Sequence, residues 1–269
     1  MDAGHTIAPV QVTLAQLAPR PREVRANLKR AREVVGASAE SELVVFPELF
    51  LSGYQLRDAE PLALELNGPE LAELRAAAGD ARTAVIVGAA ERWNGAVANS
   101  AVCIDASGEL AGVYRKTHPF GPERGVYAAG DELLTVELGG RVLGLMICFD
   151  MEFPEVGRTL ARRGADMLVT ISANSSPYEI DHAVFARARA LENGLPHVYV
   201  NRVGEEDGLA FCGGSLAVDP DARTLAEAGH EGEATVGAEL GAPGRRDPET
   251  SYLDRLRGEL YDQGSLSEV

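Results

Sequence analysis

Lysine is nearly absent from this chain: of its 25 basic residues only Lys29 and Lys116 are lysines, the rest being arginine. Lys29 falls on the polar side of an amphipathic helix pattern, where arginine would serve equally. Lys116 stands in Tyr114-Arg115-Lys116-Thr117-His118, where a compact ammonium offers chemistry that a planar guanidinium does not. Positive charge is also in deficit, with 41 acidic residues and a formal charge of −16. That balance disfavours partners bound by neutralising phosphates, so it argues against nucleic acid and anionic membrane surfaces and for a small molecule. Aromatic residues make up only 6% of a chain that is 45% hydrophobic, so aliphatic side chains must fill most of the core. The three cysteines, Cys103, Cys148 and Cys212, have neither CxxC spacing nor a matching histidine pattern. Neither a zinc site nor a disulfide framework is expected, and reduced thiols in a cytoplasm are. No apolar run approaches the ~18 residues of a membrane span. Met1-Asp2-Ala3-Gly4-His5 carries no basic region with a following apolar stretch, so no secretory leader is predicted.

What is present reads as one large α/β unit. Val10 to Leu17 predicts a strand, and Val24, Leu28, Ala31 and Val35 recur at helical spacing. Leu43-Val44-Val45-Phe46 is the continuous apolar run of a fully buried strand, and it ends at Pro47-Glu48. A helix from Pro69 to about Ala78 and a strand from Thr83 to Ala90 follow. Asn99–Asp105 and Glu109–Lys116 form a predicted hairpin about Ala106-Ser107-Gly108, and Lys116 closes it. The Pro/Gly-rich segment 118–125 is a loop, of a length that is often functional. A second hairpin, Leu133–Leu138 with Val142–Ile147, turns at Gly139-Gly140 and stops at Cys148. Helices from Pro154 and from Ile180 to Asn193 alternate with strands Met167–Ser172 and His197–Val203; Gly213–Val218 and Ala234–Leu240 complete a mixed sheet. No short repeat is visible. Residues 1–240 are expected to form the domain, and 241–269 a charged tail with one possible helix near Tyr252–Leu260, docking on a partner subunit or staying loose.

Glu48, Lys116 and Cys148 each end a predicted strand, where α/β folds gather their active sites. Cys148 sits at a strand-to-loop corner, displayed outward with the Phe149 N–H behind it, as a nucleophile beside an oxyanion donor would be. A neutral-pH thiol needs a base and a stabilising cation to act. Taken singly, Cys148 is more readily read as a small buried hydrophobe and Glu48 as a cap or surface residue; Cys103 and Cys212 are read as structural. Asp150 either shapes the corner or caps the next helix.

Phe46-Pro47-Glu48-Leu49 with Ser52-Gly53-Tyr54, then Tyr114-Arg115-Lys116-Thr117-His118, then Cys148-Phe149-Asp150 with Glu152-Phe153-Pro154-Glu155, resemble in order and spacing the motifs of the nitrilase superfamily of carbon–nitrogen hydrolases. The likeness continues through Arg187–Asn193 and Asn201. It implies an α-β-β-α sandwich that pairs into at least a homodimer, and a Glu-Lys-Cys triad working without metal or organic cofactor. By motif position Cys148 is then the nucleophile, Glu48 the general base, Lys116 the oxyanion-stabilising ammonium beside the Phe149 N–H, and Glu123 an additional orienting glutamate. His118 is left a structural role.

Within that family true nitrilases usually show Cys-Trp-Glu where this chain has Cys148-Phe149-Asp150. N-carbamoyl hydrolases often carry basic or histidine pairs where it has Ser172–Tyr178. The segments resemble the short-chain aliphatic amidases, including 5-aminopentanamidase-type enzymes, and the expected substrate is a small primary amide. Tyr54 and Asn174 are candidate pocket residues, and Glu152 would suit a cationic tail. An N-carbamoyl (ureido) hydrolase, a nitrilase, an ammonia-supplying glutaminase and a non-catalytic assembly subunit are the alternatives.

Overall fold

The structure, a computed structural model, describes residues 8–244 and 249–260. The chain begins β1 (Val10–Gln16), α1 (Val24–Ala37), β2 (Leu43–Val45), α2 (Pro69–Ala81), β3 (Ala84–Trp93), β4 (Ala96–Ile104) and β5 (Leu110–Arg115). It continues through β6 (Thr135–Leu138), β7 (Arg141–Ile147), α3 (Pro154–Arg162), β8 (Met167–Ser172), α4 (Glu179–Asn193) and β9 (His197–Asn201). The last strands are β10 (Val203–Glu206), β11 (Leu209–Cys212), β12 (Leu216–Val218), β13 (Thr224–Glu227) and β14 (Ala234–Leu240).

Two six-stranded sheets result, in the orders β14-β1-β2-β3-β4-β5 and β13-β12-β9-β8-β7-β6, with β10-β11 as a separate ribbon. Within each, three neighbouring strands run parallel, β1-β2-β3 and β7-β8-β9, and the outer strands add antiparallel. The same strand–helix–strand–helix–strand unit therefore occurs twice, a repetition of architecture that leaves no short sequence repeat to see.

Side-chain alternation sets the layers. In β2, Leu43 and Val45 point to the inter-sheet core, where they join Val12, Leu14 and Ile86 and meet Leu145, Ile147, Val169, Ile171 and Val200 of the other sheet. Val44 points the opposite way, to the cluster that α1 and α2 complete with Leu28, Ala31, Val35, Leu71, Leu74 and Ala78. α3 and α4 cover Met146, Leu168 and Tyr199 on the second sheet in the same manner. Both faces of the parallel strands are covered, so they read as continuous apolar runs. The α-β-β-α sandwich expected from the motifs is the fold observed.

Besides the edge strand β13, which the sequence reading leaves out, three details differ from it. β3 and β4 form a long hairpin through Asn94-Gly95, both at positive φ (49° and 80°), the two-residue turn for which Asn-Gly is the strongest short-range signal. The stretch after Asn201 supplies the β10–β11 ribbon rather than a longer β9. Where a helix is predicted near Tyr252–Leu260, the chain forms turns and a short 3-10 turn at Gly258–Leu260. Tyr252 and Leu260 are exposed there, and a helix this short is marginal on its own.

Candidate active site

The chain leaves β2 at Phe46, whose N–H is held by Ile86 O (2.8 Å), and turns sharply enough that Leu49 adopts φ +49°. This bend crosses directly over Gly88 of β3: a Cβ there would stand 2.3 Å from Pro47 O and 2.4 Å from Leu49 N. Only glycine permits that approach, and the crossing carries Glu48 into the interior. Lys116 follows β5, its N–H bonded to Asn99 O (2.9 Å) on β4. Cys148 follows β7 at φ +48°, a strained conformation for a residue with a side chain, and opens a 3-10 turn to Glu152.

Glu48, Lys116 and Glu123 are all fully buried and in contact. Lys116 Nζ lies 2.8 Å from Glu48 Oε1 and 2.9 Å from Glu123 Oε1. Glu48 Oε1 also accepts from Asn99 Nδ2 (2.6 Å), and its Oε2 from the Ala173 N–H (2.7 Å). Glu123 is fixed by the Tyr54 hydroxyl (2.7 Å) and the Phe120 N–H (2.9 Å). Each carboxylate is aimed by donors on two or more elements, so the ammonium is gripped from both sides.

Cys148 is half-buried and free of any disulfide. With Phe149, Tyr54 and Asn174 it lines a cavity of about 210 Å³. Phe149 stands edge-on to Phe120 and Phe153, at 5.3 and 5.1 Å between centroids, and builds an aromatic wall. Among the described residues of the lining the only acidic ones are Glu152 and Asp181, beside His182, and none is lysine or arginine. A roomier open groove of about 730 Å³ lies by the β6–β7 hairpin and contains none of these residues; volume alone does not mark the chemistry.

Burial raises the Cys148 thiol pKa, the negative charge of Glu48 raises it further, and Lys116 and a hydrogen bond with Ser172 only partly offset this. The resting cysteine is therefore a protonated thiol. Burial also lifts the Glu48 carboxyl, against the pull of Lys116. For Lys116 burial opposes the charge, but Glu48 and Glu123 outweigh it and hold the ammonium well above its ordinary range. Tyr54 is pushed up by burial and then by Glu123, so its phenol keeps the proton it donates. The arrangement thus joins a neutral thiol, a carboxylate able to take its proton and a permanent cation.

Every candidate site residue named from the sequence, Glu48, Tyr54, Lys116, Glu123, Cys148, Phe149 and Asn174, falls in this region. Sequence reasoning missed Asn99, the Ala173 N–H, Ser172 and Gly88. An asparagine inside the apolar strand Ala96–Ile104 was the one visible signal among them, because a polar side chain buried there must serve some partner. Asp150 is resolved: its oxygens accept from the Ile147 N–H (3.0 Å) and from Tyr114, Thr117 and His118, so it shapes the corner.

The carbon-nitrogen hydrolase family model matches residues 11–244, and the chain belongs to that family, the nitrilase superfamily. Over 229 residues it is 42% identical to an (R)-stereoselective amidase of a Pseudomonas species, covering 82% of each chain. It is 38% identical over 259 residues to a protein of Pseudomonas protegens named hydrolase in pqqF 5'region, covering 94% of this chain and 91% of that one. Among solved structures, a glutamate-to-glutamine mutant of an amidase from Nesterenkonia sp. AN1 superposes with a TM-score of 0.83 at 27% identity, over 97% of this chain and 98% of that one. That enzyme carries the acetamide moiety of fluoroacetamide on its active-site cysteine.

Proposed function

We propose that this protein is a cysteine amidase that hydrolyses a small aliphatic primary amide to carboxylate and ammonia. The observation that carries the reading is the buried Glu48–Lys116–Glu123 cluster beside a strained Cys148 at the wall of a small cavity.

Glu48 takes the thiol proton as Cys148 Sγ attacks the amide carbon, and the carbonyl oxygen becomes an oxyanion facing the Lys116 ammonium and the Phe149 N–H. Collapse expels ammonia, which receives the proton held by Glu48, and leaves a thioester. Glu48 then removes a proton from water, the resulting hydroxide attacks the thioester, and thiol and carboxylate are released. Glu123 and Tyr54 orient Lys116, and Asn174 sits where it can contact the amide or its acyl chain.

The amidase activities named for the Pseudomonas and Nesterenkonia proteins support the amide. The cavity's charge bears on the alternatives. With Glu152 and Asp181 on its lining and no lysine or arginine among the described lining residues, it repels the free carboxylate of a ureido acid and admits an acyl chain that is neutral or cationic. Ammonia release should therefore be seen from C2 to C5 amides and be abolished by Cys148→Ala; turnover confined to ureido acids or nitriles would move the substrate class while leaving the triad, and silence across all three would favour an assembly subunit.

A homodimer is part of the proposal. Ile180, Val184 and Leu191 leave an exposed apolar stripe along α4, of the kind that a second copy covers. Gel filtration of Val184→Glu should then show a smaller species. The free cysteines accord with a reducing cytoplasm, and no described helix is long and apolar enough to cross a membrane.

A further inference from the structure

Next to the site, but not among the residues that line the cavity, lies a buried ion pair that the reaction scheme leaves unused. Arg202, between β9 and β10, and Glu206, at the end of β10, are both almost completely buried, with Arg202 Nη1 2.7 Å from Glu206 Oε2. Glu206 spends its remaining acceptor capacity on the catalytic side. Its Oε2 takes the Tyr54 N–H (3.1 Å) and its Oε1 the side-chain amide of Gln55. The approach is close enough that Gly53, at φ +80°, has no room for a side chain: a Cβ would stand 2.7 Å from Glu206 Oε1. Arg202 in turn lies over the ring of Phe211 at 3.9 Å, and the Tyr54 ring meets that same ring edge-on at 5.7 Å.

Both ends of Tyr54 are thereby accounted for. Its backbone and ring are held by Glu206, Phe211 and, through them, Arg202; its hydroxyl is held by Glu123, which grips Lys116. The same ribbon reaches the opposite wall of the cavity, where Cys212 N–H bonds Asn174 O (3.1 Å) and Ser176 N–H bonds Ala210 O (2.9 Å). A buried ion pair is a poor source of net stability, since desolvation cancels most of its attraction, and a place where conformational specificity is the better return.

We infer that Arg202 and Glu206 are positioning residues: they lock the β10–β11 ribbon against Tyr54, and through the Tyr54 hydroxyl they set the hydrogen bond that orients Glu123 on Lys116 beside Cys148. The pair touches no reacting atom. Its route to Lys116 passes through one hydroxyl, so removing that hydroxyl takes away the pair's effect on Lys116.

The inference rests on the catalytic arrangement proposed above, and its test is chosen not to depend on the substrate. The rate at which 2-iodoethanol, which has no amide group, alkylates Cys148, located by peptide mass and expressed per folded thiol, is measured across pH for wild type, Tyr54→Phe, Glu206→Gln and the double variant. Each single change should slow alkylation about tenfold, the size of one lost charge-assisted hydrogen bond, with pH profiles displaced in the same direction. The double variant should be slowed no further, a non-additivity that two residues acting in series require. A double variant slowed about a hundredfold, or a Glu206→Gln protein that melts lower but alkylates at the wild-type rate, would overturn the inference and leave the pair merely structural. If Glu206→Gln does not fold, Phe211→Leu crossed with Tyr54→Phe makes the same comparison. Coupled alkylation without amide turnover would uphold the inference and sink the amidase reading; amide turnover with additive alkylation effects would do the reverse.

Discussion

Asp150 accepts a hydrogen bond from the Tyr114 hydroxyl at 2.8 Å, which ties the corner that displays Cys148 to the strand that delivers Lys116. The carboxylate is fully buried, and its other acceptor sites are filled by Thr117, His118 and the Ile147 N–H. Nucleophile and cation arrive from different sheets, so their spacing is only as good as this bridge. Asp150→Asn keeps the volume but turns part of an acceptor into a donor facing donors. It should lower stability by about 2 kcal/mol and kcat/KM by more than the loss of folded protein explains, which active-site titration alongside thermal melts can separate.

Lys116 admits no arginine. Its ammonium occupies a point between two carboxylate oxygens at 2.8 and 2.9 Å in a fully buried position, and a planar fork cannot be placed there without displacing Glu48 or Glu123. Lys116→Arg should cut kcat about 10²- to 10³-fold; turnover within a factor of about three of wild type would contradict the oxyanion role.

The acid side of the rate profile follows from Glu48. Burial raises its pKa above the ordinary 4.5, and only the carboxylate can take the thiol proton. Activity should therefore fall as pH drops through a value above 4.5. Lys116 is held above its own ordinary value of 10.5, so loss of its charge contributes no limb near neutrality. A kcat/KM profile that is flat down to about pH 4 would argue against Glu48 as the base.

Stability should depend on pH through His197. Burial, with a smaller contribution from Arg189, lowers its pKa to about 4. Nδ1 faces the Ala186 carbonyl (2.9 Å), which can only accept, so the neutral ring carries its proton there and Nε2 takes the Thr170 hydroxyl (2.8 Å). The unfolded histidine, near 6.5, binds protons that the folded one refuses. Stability is complete above about 6.5 and is lost as pH falls toward 4, by about 2 kcal/mol at about pH 5. Denaturant midpoints at about pH 7 and about pH 5 should show this loss, and His197→Gln should flatten it.

Much of this site was legible in the sequence because the parallel strands are covered on both faces and so appear as unbroken apolar runs. Where such a run breaks at Glu48 or Cys148, a polar residue stands just past the C-terminal end of an interior strand and marks the site. The β3–β4 hairpin carried a signal in Asn94-Gly95 that went unread, because the alternation around it is masked by burial on both sides. What supports the chemistry was not legible. The Ala173 N–H could come from any residue, Gly88 is needed only because β2's exit crosses it, and Asn99 meets Glu48 only after two strands pair. The Arg202–Glu206 lock looks like ordinary surface charge until the fold buries it.

Intact-protein mass after brief mixing with short aliphatic amides, with released ammonia read in parallel, tests the central claim most directly. The account predicts a transient acyl adduct on Cys148 together with ammonia, and neither in Cys148→Ala. With Glu48→Gln the adduct and ammonia should both form far more slowly, because the base takes the thiol proton in the first half-reaction. Ammonia released at the wild-type rate by Cys148→Ala, or an adduct that maps to Cys103 or Cys212, would contradict it.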